Sequence, residues 1–303
     1  MLFSTMLVLL PAANAAPIKV TAWTTSSTAP ATEVTTYDVS HLGDGKQSTV
    51  WAEGEGGAGL GSWVQADFGA AKTITSFTFW GSNWYNVEYF GHYNRPKTII
   101  AEYGDGSTEE FTAKDEQVPQ VFTLKAAKQT QTVKLRIKAI YSGKGVDTAV
   151  SEVKFFDTAT EGLVPVASVT ASSTAVSDVD GNYNPGNASD GISDSMWCEG
   201  NKKSDGMAEW VELKLSNRSA VSSLKIRNGA PSSDLYKAVN RPASATVSFS
   251  DGATESISLK DMLFEQSVSF PTHTTDSVRL TVTGVKKGEK YDDLCISEIT
   301  VMP

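Results

Sequence analysis

Asp44-Gly45-Lys46-Gln47-Ser48-Thr49-Val50-Trp51-Ala52-Glu53-Gly54 and Asp190-Gly191-Ile192-Ser193-Asp194-Ser195-Met196-Trp197-Cys198-Glu199-Gly200 are two versions of one segment, 146 positions apart. The same displacement carries Asn94-Arg95-Pro96 onto Asn240-Arg241-Pro242, and Asp105-Gly106 onto Asp251-Gly252. It also carries Lys114-Asp115 onto Lys260-Asp261, and Ser151-Glu152 onto Ser297-Glu298. Colinear matches spread over a whole half make the chain two copies of one domain, with a period too long for a solenoid. The expected units are residues 16–157 and 166–303, joined by a short linker over 158–165.

Within each copy the pattern has period two. Val133, Leu135 and Ile137 alternate with Lys134, Arg136 and Lys138, and Val211, Leu213 and Leu215 alternate with Glu212 and Lys214. Val278, Leu280 and Val282 alternate with Arg279, Thr281 and Thr283. Apolar–polar alternation rich in β-branched residues predicts half-buried antiparallel strands. Asp105-Gly106 and Asp251-Gly252 lie between such runs, where a tight hairpin takes glycine at positive φ. No long helical period is present. The expected fold is all-β, two tandem sandwiches.

Composition bounds the partners. The 303 residues carry a net charge of -9, with 40% hydrophobic residues. That apolar share supports a core in each half. An acidic chain lacks the basic stripe that tracks phosphates, so nucleic acid is not an expected partner. Leu2–Leu10 is apolar, Pro11 ends the run and Ala13-Asn14-Ala15 has the small-x-small pattern of a cleavage site, so 1–15 reads as a signal peptide. No later stretch approaches the length of a membrane span. The expected location is secreted or periplasmic.

The two cysteines, Cys198 and Cys295, both lie in the second copy, and the first copy has Ala52 and Ala149 at the matching positions. Paired replacement is the pattern of a disulfide, and an exported chain is where one persists. Two separate buried thiols are the alternative.

These residues carry a resemblance. Asp44, Gly45, Thr49 and Trp51, matched by Asp190, Gly191, Ser195 and Trp197, resemble the opening of the discoidin, or coagulation factor 5/8 type C, domain. The closing Ser151-Glu152-Val153 and Ser297-Glu298-Ile299 are similar to that family's last strand. In the second copy, Trp197-Cys198-Glu199-Gly200, Glu209-Trp210-Val211-Glu212 and Tyr291-Asp292-Asp293-Leu294-Cys295 resemble the discoidin-like translocation domain of bacterial NAD glycohydrolase toxins. The resemblance implies two tandem discoidin-like jelly-roll β-sandwiches of eight strands, presenting ligands on end loops. Both copies are taken up by the module pattern, so it implies binding and not the toxin's chemistry.

It also implies a structural Ca²⁺ in each copy, held by Asp44, Thr49 and Glu152 and by Asp190, Ser195 and Glu298 with backbone carbonyls. Hard oxygens of this kind suit Ca²⁺. The alternative is an Asp capping its own turn and a Glu making a backbone hydrogen bond.

The aromatic run Trp80, Trp84, Tyr85, Tyr89, Phe90, His92 and Tyr93 reads as a long loop and is the candidate glycan site. Flat aromatic faces pack on sugar C–H surfaces while polar neighbours bond hydroxyls. A loop folded over its own core and a domain–domain contact are the competing readings. Arg95, Arg241 and Tyr236 are secondary candidates, although repetition of the arginine in both copies favours a structural role. The three histidines form no metal pair at i, i+4, and no nucleophile elbow or phosphate loop appears, so no enzyme is expected. The expected partner is an extracellular or cell-surface glycan, with a protein partner, in adhesion or translocation, as the alternative.

Overall fold

Why one chain of alternating residues makes two layers is clearest in its two longest strands. The computed structural model describes residues 17–33, 35–117, 119–157, 164, 166–178 and 181–303. The expected leader, and the expected linker apart from Val164, lie outside the described residues. The first module contains β1 (Ala22–Thr25), β2 (Trp51–Ala52), β3 (Trp63–Gly81), β4 (Arg95–Tyr103), β5 (Thr108–Thr112), β6 (Gln120–Tyr141) and β7 (Ala149–Phe156). β3 and β6, with 19 and 22 residues, break register at Asp67/Lys72 and again at Ile74/Ser76. Such irregularities bend a strand and let it pass from one sheet to the next. The early part of β3 pairs with β1 and with the late part of β6, which pairs with β4, and β4 pairs with β5. The late part of β3 pairs with the early part of β6 and with β7, whose far edge holds β2. The layers therefore have five and three strands besides the two-residue β2, the eight-stranded sandwich that the resemblance implies.

The second module repeats this with β8 (Val166–Ala171), β9 (Trp197–Cys198), β10 (Trp210–Asn228), β11 (Arg241–Phe249), β12 (Thr254–Ser258), β13 (Gln266–Lys286) and β14 (Cys295–Met302). The alternating residues point inward as expected: Val133, Leu135 and Ile137 join one core cluster, and Val211, Leu213, Leu215, Val278, Leu280 and Val282 the other. Gly106 and Gly252 turn the β4–β5 and β11–β12 hairpins at φ 79° and 88°. Cys198 and Cys295 face each other across β9 and β14 and are bonded, while Ala52 and Ala149 face each other across β2 and β7.

The aromatic run departs from the expected loop. Trp80 and Gly81 end β3, and 87–92 is the short helix α1 (Val87–His92), capped by the Asn86 side chain accepting from Tyr89 N. Its counterpart α2 (Ser233–Ala238) is capped in the same way by Ser232. The sequence signal was the side-chain oxygen three residues ahead of the bonded N–H.

Candidate functional site

The Asp-Gly turn that opened the sequence comparison is built alike in both modules. Gly45 and Gly191 have φ of 72° and 69°, the left-handed region that glycine enters without cost. Asp44 Oδ1 accepts from Lys46 N at 3.0 Å, and Asp44 Oδ2 accepts from Thr49 Oγ1 at 2.8 Å. Glu152 reaches in from β7 and accepts from Gly45 N at 3.0 Å. In the second module Asp190 Oδ1 accepts from Ile192 N at 2.8 Å and from Ser195 Oγ at 2.9 Å, and Glu298 accepts from Gly191 N at 3.0 Å. All six candidate metal residues are thus gathered in two equivalent sets.

The electrostatics of these sets are governed by burial. Burial pushes the Glu152 carboxyl up to about 9, although the Lys154 ammonium pulls the other way. Burial pushes Asp190 up to about 7. Burial, and then the charge of Asp190, hold Glu298 well above the usual carboxylate range. Desolvation outweighs the Lys154 ammonium, which opposes the rise in all three groups, and the Arg227 guanidinium, which opposes it at Glu298. Among the described residues no three His, Cys, Asp or Glu side chains are grouped closely enough to hold an ion unaided. Each set offers two carboxylates and a hydroxyl, so the residues fit Ca²⁺ only with backbone carbonyls making up the coordination.

The two acid turns also meet. Asp194 Oδ1 accepts from Gln47 N at 2.6 Å, and its Oδ2 accepts from Ser48 N at 3.1 Å and from Ser48 Oγ. Gly45 O accepts from both Ser193 N and Ser193 Oγ at 2.8 Å. Lys154 crosses from β7, donating to the carbonyls of Asp190 at 3.2 Å and Gly191 at 3.0 Å. Ile192, fully buried, packs with Trp80, Trp84 and Phe90. The domain–domain contact offered as a competing reading of the aromatic run holds for Trp80 and Trp84, whereas the meeting of the acid turns was not foreseen. Its signal was divergence: Ile192, Asp194 and Lys154 stand where the other copy has Lys46, Ser48 and Thr300.

That packing corrects the aromatic candidates. Trp80 and Trp84 are each 1% exposed, closed off by the second module, so they present no face to a ligand. Tyr85 and Tyr89 remain open at 47% and 46%, with ring centroids 5.9 Å apart and edge to face. Exposed Val87 lies between them on α1, and His92 is exposed at the helix end.

Arg95 and Arg241 tie each short helix to its neighbouring strand and loop. Arg241 grips Asp261 with Nε and Nη2 at 2.8 and 3.1 Å, and donates from Nη1 to the carbonyls of Tyr236 and Val239. Tyr236 is buried beneath that guanidinium and donates its hydroxyl to Asp261 at 2.8 Å. Arg95 repeats the arrangement on Asp115 and Phe90. These three secondary candidates have their polar groups committed within the protein.

Comparison with known proteins matches the family of NAD glycohydrolase translocation F5/8 type C domains twice, over residues 16–156 and 160–302. No curated protein sequence matches the chain. Among solved structures it is similar to the paired CBM32-1 and CBM32-2 domains of Clostridium perfringens ZmpB, determined with GalNAc. The identity there is 11%, with 93% of this chain and 90% of that one covered and a TM-score of 0.37. A family 32 carbohydrate-binding module from C. perfringens NanJ, in complex with galactose, matches at 14% identity over 45% of this chain and 93% of that one, with a TM-score of 0.34. The fucolectin of striped bass, Morone saxatilis, matches at 12% identity over 93% and 95%, with a TM-score of 0.32.

Proposed function

We propose that this chain, which belongs in both halves to the NAD glycohydrolase translocation F5/8 type C domain family, is an exported, non-catalytic glycan-binding protein whose first module carries the sugar site. The observation that carries this reading is the open pair Tyr85, just ahead of a capped helix, and Tyr89 within it, with Trp80 and Trp84 buried beside them. Two rigid, half-exposed rings offer apolar faces to a pyranose ring, and their hydroxyls both donate and accept. Holding the backbone in advance reduces the ordering cost of binding. The Asn83 side chain helps by accepting from Tyr85 N at 3.0 Å. Export is supported by the signal-like segment 1–15 and by the bonded cysteines. In this reading the two acid turns hold Ca²⁺ and stiffen the fold; no step of sugar binding passes through the ion.

A glycan-array screen, followed by titration calorimetry of the best hit, tests the proposal. Tyr85→Ala and Tyr89→Ala should each weaken binding by about tenfold, equivalent to about 1.4 kcal/mol. An array without hits, or a hit indifferent to both variants, would remove the sugar reading. Exposed Val87 gives protein docking its one specific support. Capture of a protein partner that survives glycosidase treatment and depends on Val87 would establish that alternative.

A further inference from the structure

Phe90 and Tyr236 stand at the same place in the two copies, each on the short helix of its module. Tyr236 anchors its helix within its own module, its hydroxyl donating to Asp261 at 2.8 Å. Phe90 has no hydroxyl to offer Asp115, the matching acid. Its ring turns instead to Trp84, edge to face with centroids 6.4 Å apart, and packs against the cluster that Trp84 and Trp80 form with Ile192 of the second module. The second copy has no indole in the corresponding loop, Gly229-Ala230-Pro231-Ser232. Bonds from Ser82 Oγ to Phe90 O and from Lys144 N to Gly91 O hold the backbone of α1 within the first module, while its inner face rests on the Ile192 cluster. A helix of six residues has little stability of its own, so what it packs against sets its position.

The open pair is tied directly to this contact. Tyr85 follows Trp84 in the chain and Tyr89 precedes Phe90, so the half-exposed rings belong to the immediate neighbours of the two residues that meet the cluster. We propose that Ile192 is a positioning residue for the tyrosine pair: acting through Trp84 and Phe90, the second module sets the placement of Tyr85 and Tyr89. The sugar role of the pair rests on the reading proposed above; the dependence of its geometry on Ile192 does not. Recognition is then a property of the docked tandem and not of the first module alone. Coupling of this kind is reciprocal, so a sugar that selects the ordered pair tightens the joint by the same factor.

Ile192→Ala in the full chain tests this, with titration calorimetry against the best array glycan and amide-resolved hydrogen exchange. The truncation loosens the cluster without placing a charge in it. If the competent arrangement falls to about a tenth of the population, the apparent affinity drops about tenfold. Exchange at Tyr89 N and Phe90 N, which both donate to Asn86, should quicken, with Ile192→Val falling between the two. In the unaltered chain, saturating sugar should slow exchange at Gln47 N and Ser193 N, whose bonds span the two acid turns. Phe90→Tyr supplies a hydroxyl aimed at Asp115, as Tyr236 does at Asp261, and added to Ile192→Ala it should restore both binding and helix exchange. Unchanged binding or helix exchange in Ile192→Ala, joint amides indifferent to sugar, or a loss that Phe90→Tyr leaves unrepaired would each overturn the assignment. An unaltered chain that binds no sugar sinks the sugar reading alone, and helix exchange in Ile192→Ala then decides the role of Ile192.

Discussion

Replacing Cys198 and Cys295 together by alanine should destabilise one module and leave the other as it was. The bond joins residues 97 apart in sequence. In the chain-entropy relation, releasing a loop of that length costs about 4.7 kcal/mol. A module of roughly 140 residues unfolds with about 0.3 kcal/mol/K of entropy, so the loss corresponds to a fall of about 16 °C in Tm. The first module supplies the internal control, because Ala52 and Ala149 occupy the same paired register in β2 and β7. The alanines therefore need no rearrangement, and the cost is that of the lost cross-link. Hydrogen exchange resolved by peptide is the assay, read on β10 and β13 for the second module and on β3 and β6 for the first. Protection should fall by several kcal/mol in the second pair only, and a reductant acting on the native chain should reproduce the pattern. Equal losses in both modules, or a loss under about 1 kcal/mol in the second, would refute the entropic reasoning.

Ile192→Asp places a carboxylate against Trp80, Trp84 and Phe90, which costs several kcal/mol without a partner. Small-angle scattering should then show a larger radius of gyration, and an unchanged radius would mean that this plug does not hold the joint. Calcium at a hundred times its Kd should stabilise each module by about 2.7 kcal/mol, reversed by EDTA and lost in Glu152→Gln combined with Glu298→Gln; scanning calorimetry decides. Arg241→Met strips a buried donor from the carbonyls of Tyr236 and Val239, while the exposed Asp261 keeps the Tyr236 hydroxyl, and should cost about 3 kcal/mol in chemical denaturation, more than Arg95→Met, whose side chain is less buried. Hydrogen bonding from Arg241 holds the Asp261 carboxyl below its ordinary value of 3.8, so its contribution is complete above that pH and fades as pH falls through the lowered value. Asp261→Asn should flatten that acid limb of the stability curve, and an unaltered limb would assign it to other groups.

Much of the fold was legible because two copies solve one packing problem. Trp51 and Trp197 donate to the carbonyls of Ser27 and Ser173, so a tryptophan at each position is kept by the same bond. Asn94 and Asn240 each donate to a carbonyl of the final loop and accept from a glycine N–H there, which accounts for the repeated Asn-Arg-Pro. Alternation revealed which residues face the core, and Asp-Gly marked the hairpins. The short helices stayed hidden because six residues are too few to display a helical period; only the caps at Asn86 and Ser232 betray them.

The candidate site was less legible for the converse reason. A tryptophan in an end loop and a tryptophan in a module joint carry the same sequence signature, and only the partner surface separates them. Trp80 sits on the outer face of β3, opposite Glu152, where the second module has Arg227 opposite Glu298. An indole on an outer sheet face reads as surplus until Ile192 and Lys154 are seen to enclose it. The duplication therefore sorts its own residues. Positions identical in both copies build the sandwich, and positions that differ beside the acid turns build the joint. Tyr85 and Tyr89 belong to neither set: they have diverged from the second copy, yet nothing among the described residues covers them. Residues freed from both structural duties are where ligand recognition can vary without disturbing the fold, which is why the sugar site is proposed at them and not at the buried tryptophans.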